Sequence, residues 1–455
     1  MTVTQNHLQG APVHPSPTFP GTPTGAVPYP KASEGNAMAL STMRDAIEQR
    51  VGKLANLKGL HISEVFYGLG GFHEILWTGG LRPQLVNSYE VEPIFEKIHE
   101  AVDKVRCSSV STTVKFGAVK GDVMKVRVGT LERSRAIVGG PPCGPWAAIG
   151  QRKKKNDTRA SCYDQMIDWV DQLARAEDKE DELWMFAFEN SDKIMEKNRV
   201  AKNNKKRTSY AEDLINKMNA RESIRSKFLI YIRLLSLKAH IDHHRDRAWL
   251  RGLNKKFCTA AIPDPIASFG VRVKLNDILD PLVPNVSLGS LSSQKMKDNV
   301  RRVMERIAHD QAMGVAGDIA VFDISRNPAT EKYQNFMYDC IPSLRTKGPY
   351  YFVVSVAFVL EEKLFGDDGE VPDKAYFFRY LTESERYIAQ GLDPVFHDCT
   401  PGIMNKRLGT GNAYAIPMVA SATLPLLEAI SEYFEKQPRK KRRRVWSSRC
   451  LAKPV

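Results

Sequence analysis

Apolar runs closed by glycine or by an acid recur through the first half of the chain: "LHISEVFYGLGG" (60–71), "LVNSYEVE" (85–92), "RAIVGGPP" (135–142) and "WMFAFEN" (184–190). Each is short and nearly continuous in apolar residues, which predicts strands covered on both faces. Helical spacing fills the gaps between them. In "SCYDQMIDWVDQLARA" (161–176), Tyr163, Met166, Ile167, Val170, Leu173 and Ala174 form one apolar stripe. Strands alternating with helices predict an α/β fold on a mostly parallel sheet. After Asp280 the alternation fades, and "PYYFVVSVAFVLEE" (349–362) predicts a long strand in a smaller, β-rich unit.

The expected organisation is a Pro-rich leader at 1–36, a first unit at 37–285, a second at 286–376, a segment returning to the first at 377–435, and a basic tail at 436–455. The leader has seven prolines between positions 12 and 30 and only Lys31 and Glu34 as charges, too little apolar surface to offset the entropy of ordering. No internal repeat is visible.

With 455 residues, 42% of them hydrophobic, the chain has material for a sizeable core. No run reads as the roughly 18 apolar residues of a membrane span, and the start "MTVTQNHLQGAP" lacks a secretory signal's apolar stretch. An intracellular protein with no membrane partner is expected. Seven cysteines (107, 143, 162, 258, 340, 399 and 450) stand singly with no CxxC pair, which argues against a zinc module and a disulfide framework; no metal is expected.

Charge changes the picture at one end. The net charge is +14, but the last twenty residues carry nine cations and no acid, which leaves the body at +5. Within them, "PRKKRRRV" (438–445) has the form of a nuclear import signal or a phosphate-binding tail. Localisation in the nucleus, with an import receptor as partner, is the expectation; a merely solvated tail is the alternative.

Candidate chemistry gathers at the ends of the predicted strands. Gly68, Gly70 and Gly71 follow the first strand, a turn that permits close backbone approach to a cofactor and opens a helix N-terminus toward it. Glu90 and Asp122 fall at the next two tips, as acceptors for ribose hydroxyls or as simple helix caps. Cys143 follows in "GGPPCGPW", a Pro/Gly loop on the same sheet edge and no place for a core thiol. Glu189 and Asn190 end the fifth strand. Arg245 and Arg247, two apart in "HHRDRAW", point the same way if extended.

Taken in order, these residues resemble the DNA (cytosine-5) methyltransferase family. Its FxGxGG motif matches Phe66, Gly68, Gly70 and Gly71, its acidic cofactor contacts match Glu90 and Asp122, and its proline-cysteine loop matches Pro142 and Cys143. Its ENV motif matches Glu189 and Asn190 with Ser191 in the valine place, its DxR matches Asp157 and Arg159, and its QxRxR matches His243, Arg245 and Arg247. "RYLTESERYIAQG" (379–391) resembles the RxLTxxE element, and "GTGNAYAIP" (409–417) resembles the final GN motif, with Asn412 at the cofactor. The matches run from about 62 to 430. Gly144, Trp146, Ala147 and His243 depart from the pattern, in positions that touch the loop closing on the substrate.

The resemblance implies a Rossmann-like S-adenosylmethionine-dependent domain with a target-recognition unit, acting as a DNA (cytosine-5-)methyltransferase. It implies that Phe66 stacks on adenine, Glu90 holds the ribose and Asp122 the adenine amino group. Cys143 would add to carbon 6 of a cytosine flipped out of double-stranded DNA, because carbon 5 is otherwise a poor nucleophile. Glu189 would hydrogen-bond ring N3, Arg245 and Arg247 would hold O2 or a nearby phosphate and favour the thiolate, and Asn190 would position the cysteine loop. Arg152, Lys153, Lys154 and Lys155 would lie near phosphates, or else form a solubilising surface run. Cytosine-5 methylation of transfer RNA shares every motif, and a catalytically silent chromatin-binding protein is the reading from another class.

Overall fold

A computed structural model describes residues 34–143, 159, 161–175, 182–196, 208–258, 260–327, 336–345, 350–360 and 377–437. Residues 1–33, Gly144, Trp146, Ala147, the run Arg152, Lys153, Lys154 and Lys155, Asp157, and the tail from 438 lie outside the described residues.

The first unit is built on eight strands: β1 (His61–Val65), β2 (Gln84–Leu85), β3 (Tyr89–Glu90), β4 (Lys115–Phe116), β5 (Ala136–Gly139), β6 (Met185–Ser191), β7 (Phe228–Ser236) and β8 (Asp246–Asn254). Their order is β4-β3-β1-β5-β6-β8-β7, with β2 also beside β1. From β4 to β6 every pairing is parallel; β8 runs antiparallel to both β6 and β7. β5 and β6 are buried along their whole length, as continuous apolar runs should be when helices cover both faces. On one face lie the helices Glu34–Gly52, Gly71–Thr78 and Ile416–Lys436, and on the other Ser161–Ala174 and Tyr210–Asn219. This is the expected α/β architecture. Sequence order reverses at β1, which lies between β3 and β5, so loops leaving the carboxyl ends of these strands open a crevice there.

The helix Ile416–Lys436 corrects one expectation. With the helix before it, it is long and apolar enough to cross a membrane (mean hydropathy 1.4), although the sequence reading saw no such run. Yet 89% of the 18 residues that give this value are buried inside the fold, the mark of a core helix. It packs beside the N-terminal helix, where Arg50 and Glu428 form a two-pronged ion pair at 2.9 Å.

The second sheet comprises β9 (Ile319–Asp323), β10 (Phe336–Tyr338), β11 (Tyr351–Ser355) and β12 (Phe378–Tyr380), antiparallel in the order β10-β9-β11-β12. Alternation divides its faces. Ala320, Phe322, Phe352, Val354 and Phe378 pack on Val300, Val303, Met304 and Ile307 of the helix Gln294–Ala312, while Ile319, Val321, Tyr351 and Val353 join the core of the first unit. The predicted long strand at 349–362 is instead five residues of β11 followed by the helix Val356–Leu360. Ser355 pairs with Ile319, the first residue of β9, so the ladder ends there and Val356 and Val359 fold over the small core. A continuous apolar run does not distinguish the two outcomes.

Where the chain returns, the RxLTxxE spacing acquires a physical meaning. Glu385 forms a capping box with Thr382 and takes both outer nitrogens of Arg379, at 2.6 and 3.0 Å. Both side chains are almost wholly buried, and Glu385 also accepts from the Asp280 amide at 2.7 Å.

Candidate active site

The Cys143 loop begins in a confined place. A Cβ on Gly140 would lie 2.6 Å from the Tyr414 ring, so only glycine lets the chain leaving β5 pass that ring. From there Pro141, half-buried Pro142 and exposed Cys143 leave the sheet. Buried Asn190 at the end of β6 donates its Nδ2–H to the Pro141 carbonyl at 2.8 Å, tying the loop two residues before the thiol.

Glu189 and Arg247 meet across the sheet. Register pairs Glu189 with Trp249 and Ser191 with Arg247, which makes Glu189 and Arg247 diagonal neighbours on one face. Their Oε1 and Nε are 2.7 Å apart. Arg245, just before β8, is 3% exposed; its Nη2 donates to the Ala413 carbonyl at 2.9 Å, and its Nε and Nη1 have no partner among the described residues. Burial and the neighbouring Arg247 pull this guanidinium down to about 9, against the opposing pull of Glu189 and Cys143. One sheet edge thus carries an exposed thiol, a carboxylate and two guanidiniums. Unsatisfied donors on a buried Arg245 suit an oxygen or an anion arriving from outside.

The glycine loop is clamped more heavily than its sequence suggests. Phe66 adopts φ 58°, a left-handed geometry unusual for a bulky side chain, and Gly70 adopts φ 67° with the Tyr67 ring where a Cβ would be. The Gly68 peptide is gripped from both sides: its N–H donates to Glu90 Oε2 at 2.8 Å, and its carbonyl accepts from His99 Nε2 at 2.9 Å. Burial lifts Glu90 to about 6. Glu64, an acid inside β1, accepts from the amides of Phe72 and His73 at 2.9 and 2.8 Å. Burial raises it to about 8 against those two donors. The helix N-terminus at Gly71 is therefore not open as expected, because Glu64 caps it from within.

Asp122 sits one helical turn (Gly117–Lys120) beyond β4, not directly at the strand tip. It caps the following turn through Met124 N at 3.0 Å, and neighbouring Gly121 lies hard against the Glu90 carbonyl. Asn412 is exposed, the last residue of the helix Ile403–Asn412. Two residues on, Tyr414 wedges between Gly71 and Gly140 and so touches both loops. The sequence reading missed Glu64, His99 and Tyr414. Only Glu64 carried a signal, an acid beside Val65 in a strand that is buried from Ile62 onward.

These buried groups predict an acid-sensitive fold. Burial holds His73 down to about 3, His99 and His240 to about 4, and His243 well below its ordinary value. The unfolded chain takes up these four protons near pH 6.5 and the folded chain only near 4 or below, so stability present above 6.5 is lost as pH falls toward 4. Glu64 and Glu90, raised in the fold, oppose with only two protons. Scanning calorimetry should find a melting temperature lower at pH 5 than at pH 7, on the order of 5 °C; a higher one would contradict these assignments.

A 131-residue stretch is 29% identical to the orphan methyltransferase M.Rho11sI of Bacillus phage rho11s, covering 29% of this chain and 23% of that protein. M.SPRI of Bacillus phage SPR is 28% identical over 131 residues, 29% of this chain and 26% of that protein. The chain thus matches about a quarter of the length of these curated relatives. Among solved structures, the Entamoeba histolytica methyltransferase EhMeth is 14% identical with a TM-score of 0.47, covering 82% of this chain and 99% of its own. The family model for C-5 cytosine-specific DNA methylases matches residues 64–423, from Glu64 in β1 to the core helix that carries Thr423, and the chain therefore belongs to that family.

Proposed function

We propose that the chain transfers a methyl group from S-adenosylmethionine to carbon 5 of cytosine in DNA. The observation that carries this reading is the meeting of four side chains at one sheet edge: Cys143, Glu189 paired with Arg247, and Arg245 with two unsatisfied donors.

The family implies S-adenosylmethionine, and the residues present suit it: glycines where no Cβ fits, a strained Phe66, and the acids Glu90 and Asp122 on adjacent loops. Bound there, it supplies an electrophilic methyl group on sulfonium. Glu90 would accept from ribose hydroxyls and Asp122 from the adenine amino group, and Asn412 is assigned to the same cofactor. The thiolate of Cys143 would form a bond to carbon 6, moving the electrons of the 5,6 double bond onto the ring, while a proton shared between Glu189 and N3 offsets the charge there. Arg245 and Arg247 hold O2 and balance the charge that develops. Once carbon 5 held the methyl group and the donor's thioether had been released, the carbon 5 proton would pass to water, and the electrons of that C–H bond would re-form the ring double bond as the Cys143 sulfur leaves as thiolate. A base inside a stacked duplex cannot reach such a site, so it is flipped out. Arg152, Lys153, Lys154 and Lys155 are assigned to phosphates, and the second unit to sequence choice. Residues 438–445 are assigned to nuclear import.

Incubation with S-adenosylmethionine and either unmethylated duplex DNA or transfer RNA, followed by mass spectrometry of 5-methylcytosine, tests the substrate. Product in DNA is expected; product in transfer RNA alone would replace DNA as the substrate, and product in neither would leave a binding protein.

A further inference from the structure

His243 stands where the family's arginine motif has glutamine, and it is 0% exposed. Its Nδ1 is 2.9 Å from the Ala389 carbonyl and its Nε2 is 3.3 Å from the Leu344 amide. A carbonyl only accepts and an amide only donates, so the ring is neutral with the proton on Nδ1. Burial, with Arg245, Arg247 and His244 as the charged or titratable groups nearby, holds it in that state.

The two partners belong to different parts of the chain. Ala389 lies in the returning segment, and Leu344 in the stretch between β10 and β11 of the second unit. Backbone bonds follow the same line: His244 N to Ile341 O at 2.7 Å and Ile341 N to Asp242 O at 2.8 Å. Tyr351 and Arg386 then fix the stretch itself, through the carbonyls of Ser343 at 2.7 Å and Arg345 at 3.1 Å. Arg245, two residues beyond the staple, is buried and tied to Ala413.

We propose that His243 is the positioning residue for Arg245: its two hydrogen bonds make the docking of the 341–344 stretch of the second unit and the seating of the arginine a single event. This rests on the reading that Arg245 serves the reacting base. The ring spans both partners at once, and a glutamine amide, with one donor and one acceptor at similar reach, does the same. An apolar side chain of equal volume does not.

The test uses the full chain with His243→Leu, which keeps packing but loses both bonds, and His243→Gln, which keeps both. In His243→Leu, kcat on DNA should fall about 10- to 100-fold, as for a misplaced active-site group, with KM for S-adenosylmethionine within about threefold. Deuterium exchange at the Leu344 amide should quicken at least tenfold, and Cys143 alkylation by iodoacetamide should slow several-fold, with Cys107 as internal control. His243→Gln should stay within about threefold of the parent in all three. Unchanged kcat and exchange in the leucine variant, or a glutamine variant as impaired as leucine, would overturn the proposal. Should the leucine variant not fold, His243→Asn, too short to span both partners, takes its place with the same expectations. A parent chain that methylates no nucleic acid would sink the functional reading alone, since exchange and alkylation still decide this one.

Discussion

Cys143→Ala should lower methyl transfer by on the order of 10³-fold or more, while binding of S-adenosylmethionine and the melting temperature stay at parental values. The asymmetry follows from where the thiol sits. It is exposed, three residues beyond Gly140, and the anchors before it, the Asn190 amide on the Pro141 carbonyl and Tyr414 against Gly140, do not involve sulfur. Removing it leaves no orphaned donor among the described residues. The clamps on the glycine loop, Glu90 and His99 on Gly68 and Glu64 on the helix beyond, stand on other elements: two strands and the helix Ile94–Arg106. Radiolabelled methyl transfer measured beside calorimetric cofactor binding checks both halves. Residual activity above about a tenth of the parent would remove Cys143 from the reaction.

Glu385→Ala should be the most destabilising exchange in the returning segment, at about 4 kcal/mol and a melting temperature roughly 10 °C lower. It strands Arg379, 1% exposed, without its two-pronged partner. It also frees the amides of Asp280 and Thr382, each held at 2.7 Å. Breaking one half of a buried pair costs more than losing both, so Arg379→Leu combined with Glu385→Leu should recover part of the loss. Denaturant titration of both variants tests this; a double variant no more stable than the single would show that the charge is not the source.

Some of this was legible in the residues and some was not. Short, largely apolar runs ending in glycine or an acid located β1, β5 and β6, because strands buried on both faces carry few polar positions to blur the pattern. The Pro/Gly setting of Cys143 and the paired arginines were likewise local signals. The reversed strand β8 was not, since its insertion between β6 and β7 depends on contacts between segments sixty residues apart. Nor was the split of 349–362 into strand and helix, which is decided by where β9 stops. His99 and Tyr414 escaped for the same reason: each acts on a loop supplied by another part of the chain. The RxLTxxE spacing was visible while its cause, an ion pair folded into a capping box, was not.

The helices at the two ends of the described fold, Glu34–Gly52 and Ile416–Lys436, lie side by side over the same face of the sheet. On the ribosome this orders events. The nucleophile loop, the acid and both arginines have all emerged when the sheet still lacks the long helix that covers it, the Ala413 carbonyl that anchors Arg245 and the Tyr414 wedge between the two loops. A chain that stops before this helix therefore has its strands but not their cover, and exposes an apolar sheet face to proteolysis.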